Sequence, residues 1–139
     1  IRVTGCNLRE VYYKHHFTVP ELPMEELSER VGTVAEEQGR TGAEKYEILL
    51  FHSPLFFETC RKWGADLTLC GHFHGGTIRI PGLGGVMTPQ YQFFLPWCAG
   101  RFDADGKTMI VSRGLGTHSI NVRLNDRPEL VCVTVRGKQ

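Results

Sequence analysis

The sequence carries almost no excess charge of either sign: sixteen Lys and Arg face fifteen Asp and Glu, a formal net charge of +1. That balance leaves no broad electrostatic footprint for a polyanion, and no nucleic-acid partner is expected. Long apolar runs are also missing, so no stretch has the length a membrane-spanning helix requires. Cysteine offers no pairing framework, because Cys6, Cys60, Cys70, Cys98 and Cys132 are odd in number and scattered. This argues against disulfides and favours a reducing compartment, with a cytoplasmic or membrane-associated location as the expectation. Internal repeats and low-complexity tracts are absent. So is an opening methionine. The chain enters a strand-like run, Ile1 to Cys6, at once, and is expected to have been cut from a larger polypeptide. The lack of a targeting segment then says nothing about that parent.

What remains is a globular composition, 41% hydrophobic and 22% charged over 139 residues, enough for one domain with its own core. Residues 1–139 are read as a single folding unit. The segment from Asn7 to Pro20 has no clear period and reads as a loop. Met24, Leu27, Val31, Val34 and Ala35 recur at spacings of three and four, which predicts one amphipathic helix from Met24 to about Gln38, ended by Gly39. Glu47–Phe51 is a short continuous apolar run, as in a buried strand. Ser53-Pro54 then supplies an N-cap and a helix-starting proline for a helix reaching Gly64, and Leu67–Cys70 is the next strand. Thr77–Ile80, Thr108–Ser112 and Glu129–Val135 have β character, and Asp103-Ala-Asp-Gly106 predicts a hairpin turn. The alternation implies an α/β unit with an adjacent parallel pair.

That order places His52 and His72 just beyond the carboxyl ends of neighbouring strands, where open α/β sheets bind ligands. His74 follows one residue later in Cys70-Gly-His-Phe-His-Gly-Gly76. Imidazole ligates zinc, iron, nickel and manganese-type ions, so three histidines at one sheet rim point to metal binding, with hydrogen-bonded structural histidines as the alternative. Gly71, Gly75 and Gly76 leave the backbone open to a ligand or oxyanion. A structural zinc site from Cys60, Cys70, His72 and His74 fails on spacing.

These residues resemble the calcineurin-like metallophosphoesterases, in the branch with Gly-His-x-His-Gly-Gly-x-x-Arg-x-Pro. Ile48-Leu-Leu-Phe-His-Ser-Pro54 looks like that family's histidine-bearing strand end, and Gly64 to Pro81 resembles its final metal motif. Ser112-Arg-Gly-Leu-Gly116 and Arg127-Pro-Glu-Leu130 look like its closing strands. The resemblance implies the C-terminal half of a β-sandwich flanked by helices, the four-layer αββα arrangement. It also implies two divalent ions (Mn, Fe, Zn or Ni) that activate a hydroxide against a phosphoester, with His52 and His72 on one ion and His74 on the other. Arg79, Gly75 and Gly76 are candidate substrate-binding residues. The family's Asp-x-His, Gly-Asp-x-x-Asp and Gly-Asn-His motifs do not occur, and Asn7 does not replace them. With them go the bridging aspartate and the leaving-group histidine.

The chain alone is therefore expected to be inactive, with partial or no metal occupancy, and to need its missing N-terminal half as partner. Its exposed sheet face favours a homodimer of the fragment. The aromatic loop Tyr91–Trp97 could touch a bilayer as a peripheral contact. Asp66 is expected to cap or pair locally, and His118 to be exposed. The alternatives are a non-catalytic binding or assembly module on a degenerate phosphoesterase fold, and a mononuclear metal-binding module.

Overall fold

The computed structural model describes residues 1–14, 17–117 and 122–137. Its centre is a five-stranded sheet of β1 (Arg2–Cys6), β2 (Glu47–Phe51), β3 (Leu67–Cys70), β6 (Gly100–Ala104) and β7 (Lys107–Val111), in the order β1-β2-β3-β7-β6. The first four in that order run parallel and β6 closes the edge antiparallel. The expected parallel pair is therefore present, inside a mostly parallel α/β sheet.

Three helices are described: α1 (Met24–Val31), α2 (Val34–Thr41) and α3 (Phe57–Trp63). None is long and apolar enough to cross a membrane. One face of the sheet is dry: Leu49, Phe51, Cys70, Met109 and Val111 join Leu27, Phe56, Cys60 and Trp63 in the core. The other face carries the register rows Val3–Ile48–Leu67–Thr108 and Gly5–Leu50–Leu69–Ile110, where Val3 and Leu50 are exposed.

The single helix expected over Met24–Gln38 is two. Gly32 sits at φ 74°, which stops α1, and Thr33 then caps α2 in a reciprocal box with Glu36. The local cap satisfies two orphan amides that a continuous helix would not need to satisfy, and the glycine makes the break cheap. Gly42, not Gly39, ends α2 in the left-handed conformation. The Asn7–Pro20 loop contains a 3-10 turn, Glu10–Tyr13, that buries Tyr12.

Pro54–Phe56 is a 3-10 turn feeding α3, and Ser53 Oγ accepts from the Leu55 amide. The two-residue turn Asp105-Gly106 has both φ values positive, 47° and 72°, the geometry a tight hairpin between twisted strands requires. Asp66 pairs as expected, accepting from the Glu47 amide (2.7 Å) and holding Lys107 (2.6 Å).

Two further expectations fail. The strand at Thr77–Ile80 is reduced to β4 (Arg79–Ile80), paired with β5 (Gly84–Gly85), because residues 72–77 are bent by positive φ values. Glu129–Val135, and with it the closing strand at Arg127–Leu130, is not a strand. Pro128 has no amide to donate, and residues 130–137 lie exposed with no ladder partner among the described residues. β-rich composition without a neighbouring strand does not make a strand.

Candidate metal centre

β2 ends at Phe51 and β3 at Cys70, so the next residues leave the sheet at its carboxyl edge. There the Gly71 amide donates to the His52 carbonyl (3.2 Å), fastening the two strand exits together. The imidazoles of His52 and His72 stand with ring centroids 4.6 Å apart. Tyr13 packs edge-on against both, at 5.6 and 5.1 Å. Its hydroxyl is buried with no hydrogen-bond partner among the described residues, and burial pushes its pKa up.

His74 faces another group. Its Nδ1 lies 3.1 Å from the Gly116 carbonyl. A carbonyl only accepts, so Nδ1 donates, and in the neutral ring the lone pair that a metal ligand needs is then on Nε2. Arg123 holds that carbonyl in place: its guanidinium donates to Gly116 and to the Arg113 carbonyl (2.7 Å). Among the described residues, no group of three or more His, Cys, Asp or Glu side chains is arranged to hold a metal ion. The structure thus brings His52 and His72 together and sets His74 on a separate partner. Imidazole donors fit part of a transition-metal site, and among the described residues no carboxylate joins them to complete it.

The loop joining these histidines is strained. His72, His74, Gly75, Gly76 and Thr77 all have positive φ, and a non-glycine residue there costs about 1–3 kcal/mol. A Cβ on Gly75 would fall 2.0 Å from Asp126 Oδ1, and one on Gly76 would fall 2.7 Å from Gly85 Cα. The bareness of Gly75 and Gly76 makes room for the protein's own groups, whereas Gly71 stands in open space. Arg79 Nη1 donates to the Gly75 carbonyl (2.8 Å), bracing the same turn. Asp126 is buried against it, 3.6 Å from Arg123. Burial raises the Asp126 pKa against the pull of Arg123, Arg79 and Arg113.

Sequence reading missed Tyr13, Asp126 and Arg123, and only the aromatic-rich Val11-Tyr-Tyr13 run hinted at the first. His118 lies outside the described residues.

The chain is similar to three bacterial proteins. It is 38% identical over 95 residues to an uncharacterized metallophosphoesterase of Aquifex aeolicus, covering 68% of this chain and 34% of that one. It is 31% identical over 92 residues to the metallophosphoesterase YkuE of Bacillus subtilis, covering 66% and 32%. It is 35% identical over 83 residues to the phosphodiesterase YaeI of Escherichia coli, covering 60% and 30%. No protein-family model matches the chain, and no solved structure matches it. The chain spans about a third of the length of these curated relatives. With a histidine pair at its sheet edge and matches over about two thirds of its length, it belongs to the metallophosphoesterase family.

Proposed function

We propose that this chain is the C-terminal portion of a dinuclear metal-dependent phosphoesterase, inactive by itself, whose four-layer sandwich is completed by an N-terminal half. The observation that carries the reading is the His52–His72 pair, 4.6 Å between rings, at the carboxyl ends of adjacent parallel strands. His52 and His72 would hold one divalent ion (Mn, Fe, Zn or Ni) and His74, through Nε2, the other. When bound, two such ions supply Lewis acidity and activate water for attack on a phosphoester.

The chain's own residues do the positioning. Gly116 fixes the His74 tautomer, Tyr13 shields the His52–His72 pair, and Arg79 with Gly75 and Gly76 sets the substrate-side turn. The open sheet face with Val3 and Leu50 is the surface for the missing half; without it, two copies would pair there into a homodimer. The test is Mn2+-dependent hydrolysis of bis(p-nitrophenyl) phosphate by the protein together with its N-terminal half. A fall of about 100-fold or more is expected for His72→Ala, since even outer-shell changes at metal sites cost 10–100-fold. Unchanged hydrolysis in that variant would defeat the proposal.

The absence of a three-donor group among the described residues favours a second reading, a non-catalytic binding or assembly module on this fold. No hydrolysis by the completed protein under any of the four metals would support it.

A further inference from the structure

Residues 88–94 invert the usual rule of burial. Thr88, Gln90 and Gln92 are buried, at 0%, 3% and 4% exposure, while Tyr91, Phe93 and Phe94 stand at 38%, 53% and 58%. Phe17, stacked on Tyr91 at 5.9 Å between ring centroids, is 71% exposed. Large aromatics outside and amides inside is the reverse of what solvation favours.

The arrangement is built from within. Gln90 Nε2 donates to the Tyr12 carbonyl (3.0 Å) and Gln92 Nε2 to the Thr18 carbonyl (2.5 Å). Thr88 Oγ1 donates to Gln92 Oε1 (2.9 Å), and the Phe17 amide to the Gln90 carbonyl (3.1 Å). Phe17, Tyr91 and Phe94 also adopt φ values of 65°, 59° and 54°, each a sparsely populated conformation for a bulky residue. Two chain segments are locked by buried amides so that their rings point to solvent.

The composition around the rings selects the occupant. From Ile80 to Gly100, 21 consecutive residues carry no charge, in a chain that is 22% charged. The adjoining β4–β5 hairpin exposes Ile80 and Leu83 as well. A protein partner is met by an apolar centre with a polar rim. A long charge-free stretch that turns its aromatic rings outward matches the headgroup–acyl boundary of a bilayer.

We propose that Phe17, Phe93 and Phe94, with Tyr91 beside them, form a platform that docks on a lipid bilayer. The platform is tethered to the histidine rim: Gln90 grips the Tyr12 carbonyl, and the next residue, Tyr13, packs on His52 and His72. Docking therefore brings headgroup phosphoesters to the site, making a lipid phosphoester the substrate class. The substrate class rests on the phosphoesterase reading, whereas the docking does not.

The test is flotation of the protein with phosphatidylcholine vesicles, with EDTA present so that metal binding plays no part. Wild type is expected to float equally at low and high salt, because the platform is uncharged. Phe93→Ser with Phe94→Ser, checked by circular dichroism, should cut the bound fraction at least about tenfold, from the lost burial of two rings. Phe17→Ser, on the other segment, should act in the same direction should the double variant fail to fold. Val3→Ser, on the open sheet face, should float like wild type. Failure of wild type to float, or equal flotation of both folded aromatic variants, would overturn the proposal. So would sedimentation of wild type as a dimer that the aromatic variants dissolve, which would assign the platform to a second copy.

Discussion

Residues 47–70 and residues 71–98 meet at Cys70 and are built by opposite rules. The first region is ordinary backbone: two strands and a helix, with apolar side chains such as Leu49, Cys60 and Trp63 turned inward. The second has positive φ at His72, His74, Thr77, Tyr91 and Phe94, buries Thr88, Gln90 and Gln92, and exposes phenylalanines. The regular region fixes where the sheet edge is. The irregular region decides what that edge presents, spending backbone strain and buried hydrogen bonds to aim imidazoles and rings.

Glycine substitution breaks the comparison most sharply. Gly76→Ala drives a Cβ to 2.7 Å from the Gly85 backbone at φ 87°, and should destabilise by about 4 kcal/mol or more, or abolish folding. Gly39→Ala, in α2 with open space around it, should instead stabilise by about 0.5–1 kcal/mol. Urea denaturation of both variants measures the contrast. Similar small effects at the two positions would mean that the 72–77 loop is not packed as described.

A second contrast asks whether the irregular region is nonetheless a core. Phe73 and Leu49 are both 0% exposed. Phe73→Ala should cost about 3–5 kcal/mol, matching or exceeding the roughly 2–5 kcal/mol of Leu49→Ala. A loss below about 1 kcal/mol at Phe73 would make the loop a surface appendage.

The smallest effect concerns Asp126, whose folded pKa is raised chiefly by burial. A raised carboxyl pKa means that the native state binds more protons than the unfolded state between the two values. Stability therefore declines as pH rises through that window and stays lower at neutral pH. Asp126→Asn should flatten this part of the curve of melting temperature against pH. A wild type that gains stability over the variant in the same window would show that Arg123, Arg79 and Arg113 outweigh burial.

The regular region was legible because its signals are local. Glu47–Phe51, Leu67–Cys70, the Ser53-Pro54 start and the Asp105-Gly106 turn each need only a few neighbours in sequence. The His52–His72 approach followed from one inference, that two apolar runs joined by a helix lie parallel and adjacent. The break at Gly32 also had a local signal, Thr33 three residues before Glu36, but apolar spacing continued through it and was the more conspicuous pattern. Glu129–Val135 shows the converse, since strand composition does not supply a pairing partner. The loop geometry was illegible because its determinants are distant: Gly75 meets Asp126, Gly76 meets Gly85, and Gln90 reaches Tyr12.

We propose that His52 and His72 form one metal-facing pair while His74 faces another position. A Zn2+ titration followed by the shifts of each histidine's ring nitrogens in NMR separates the two positions, because a directly ligated imidazole nitrogen shifts far more than a neighbouring one. His52 and His72 should shift together at the same metal concentration, His72→Ala should abolish the response of His52, and His74 should respond separately. Independent titration of His52 and His72, or a His74 response that follows the same isotherm as both, would contradict it.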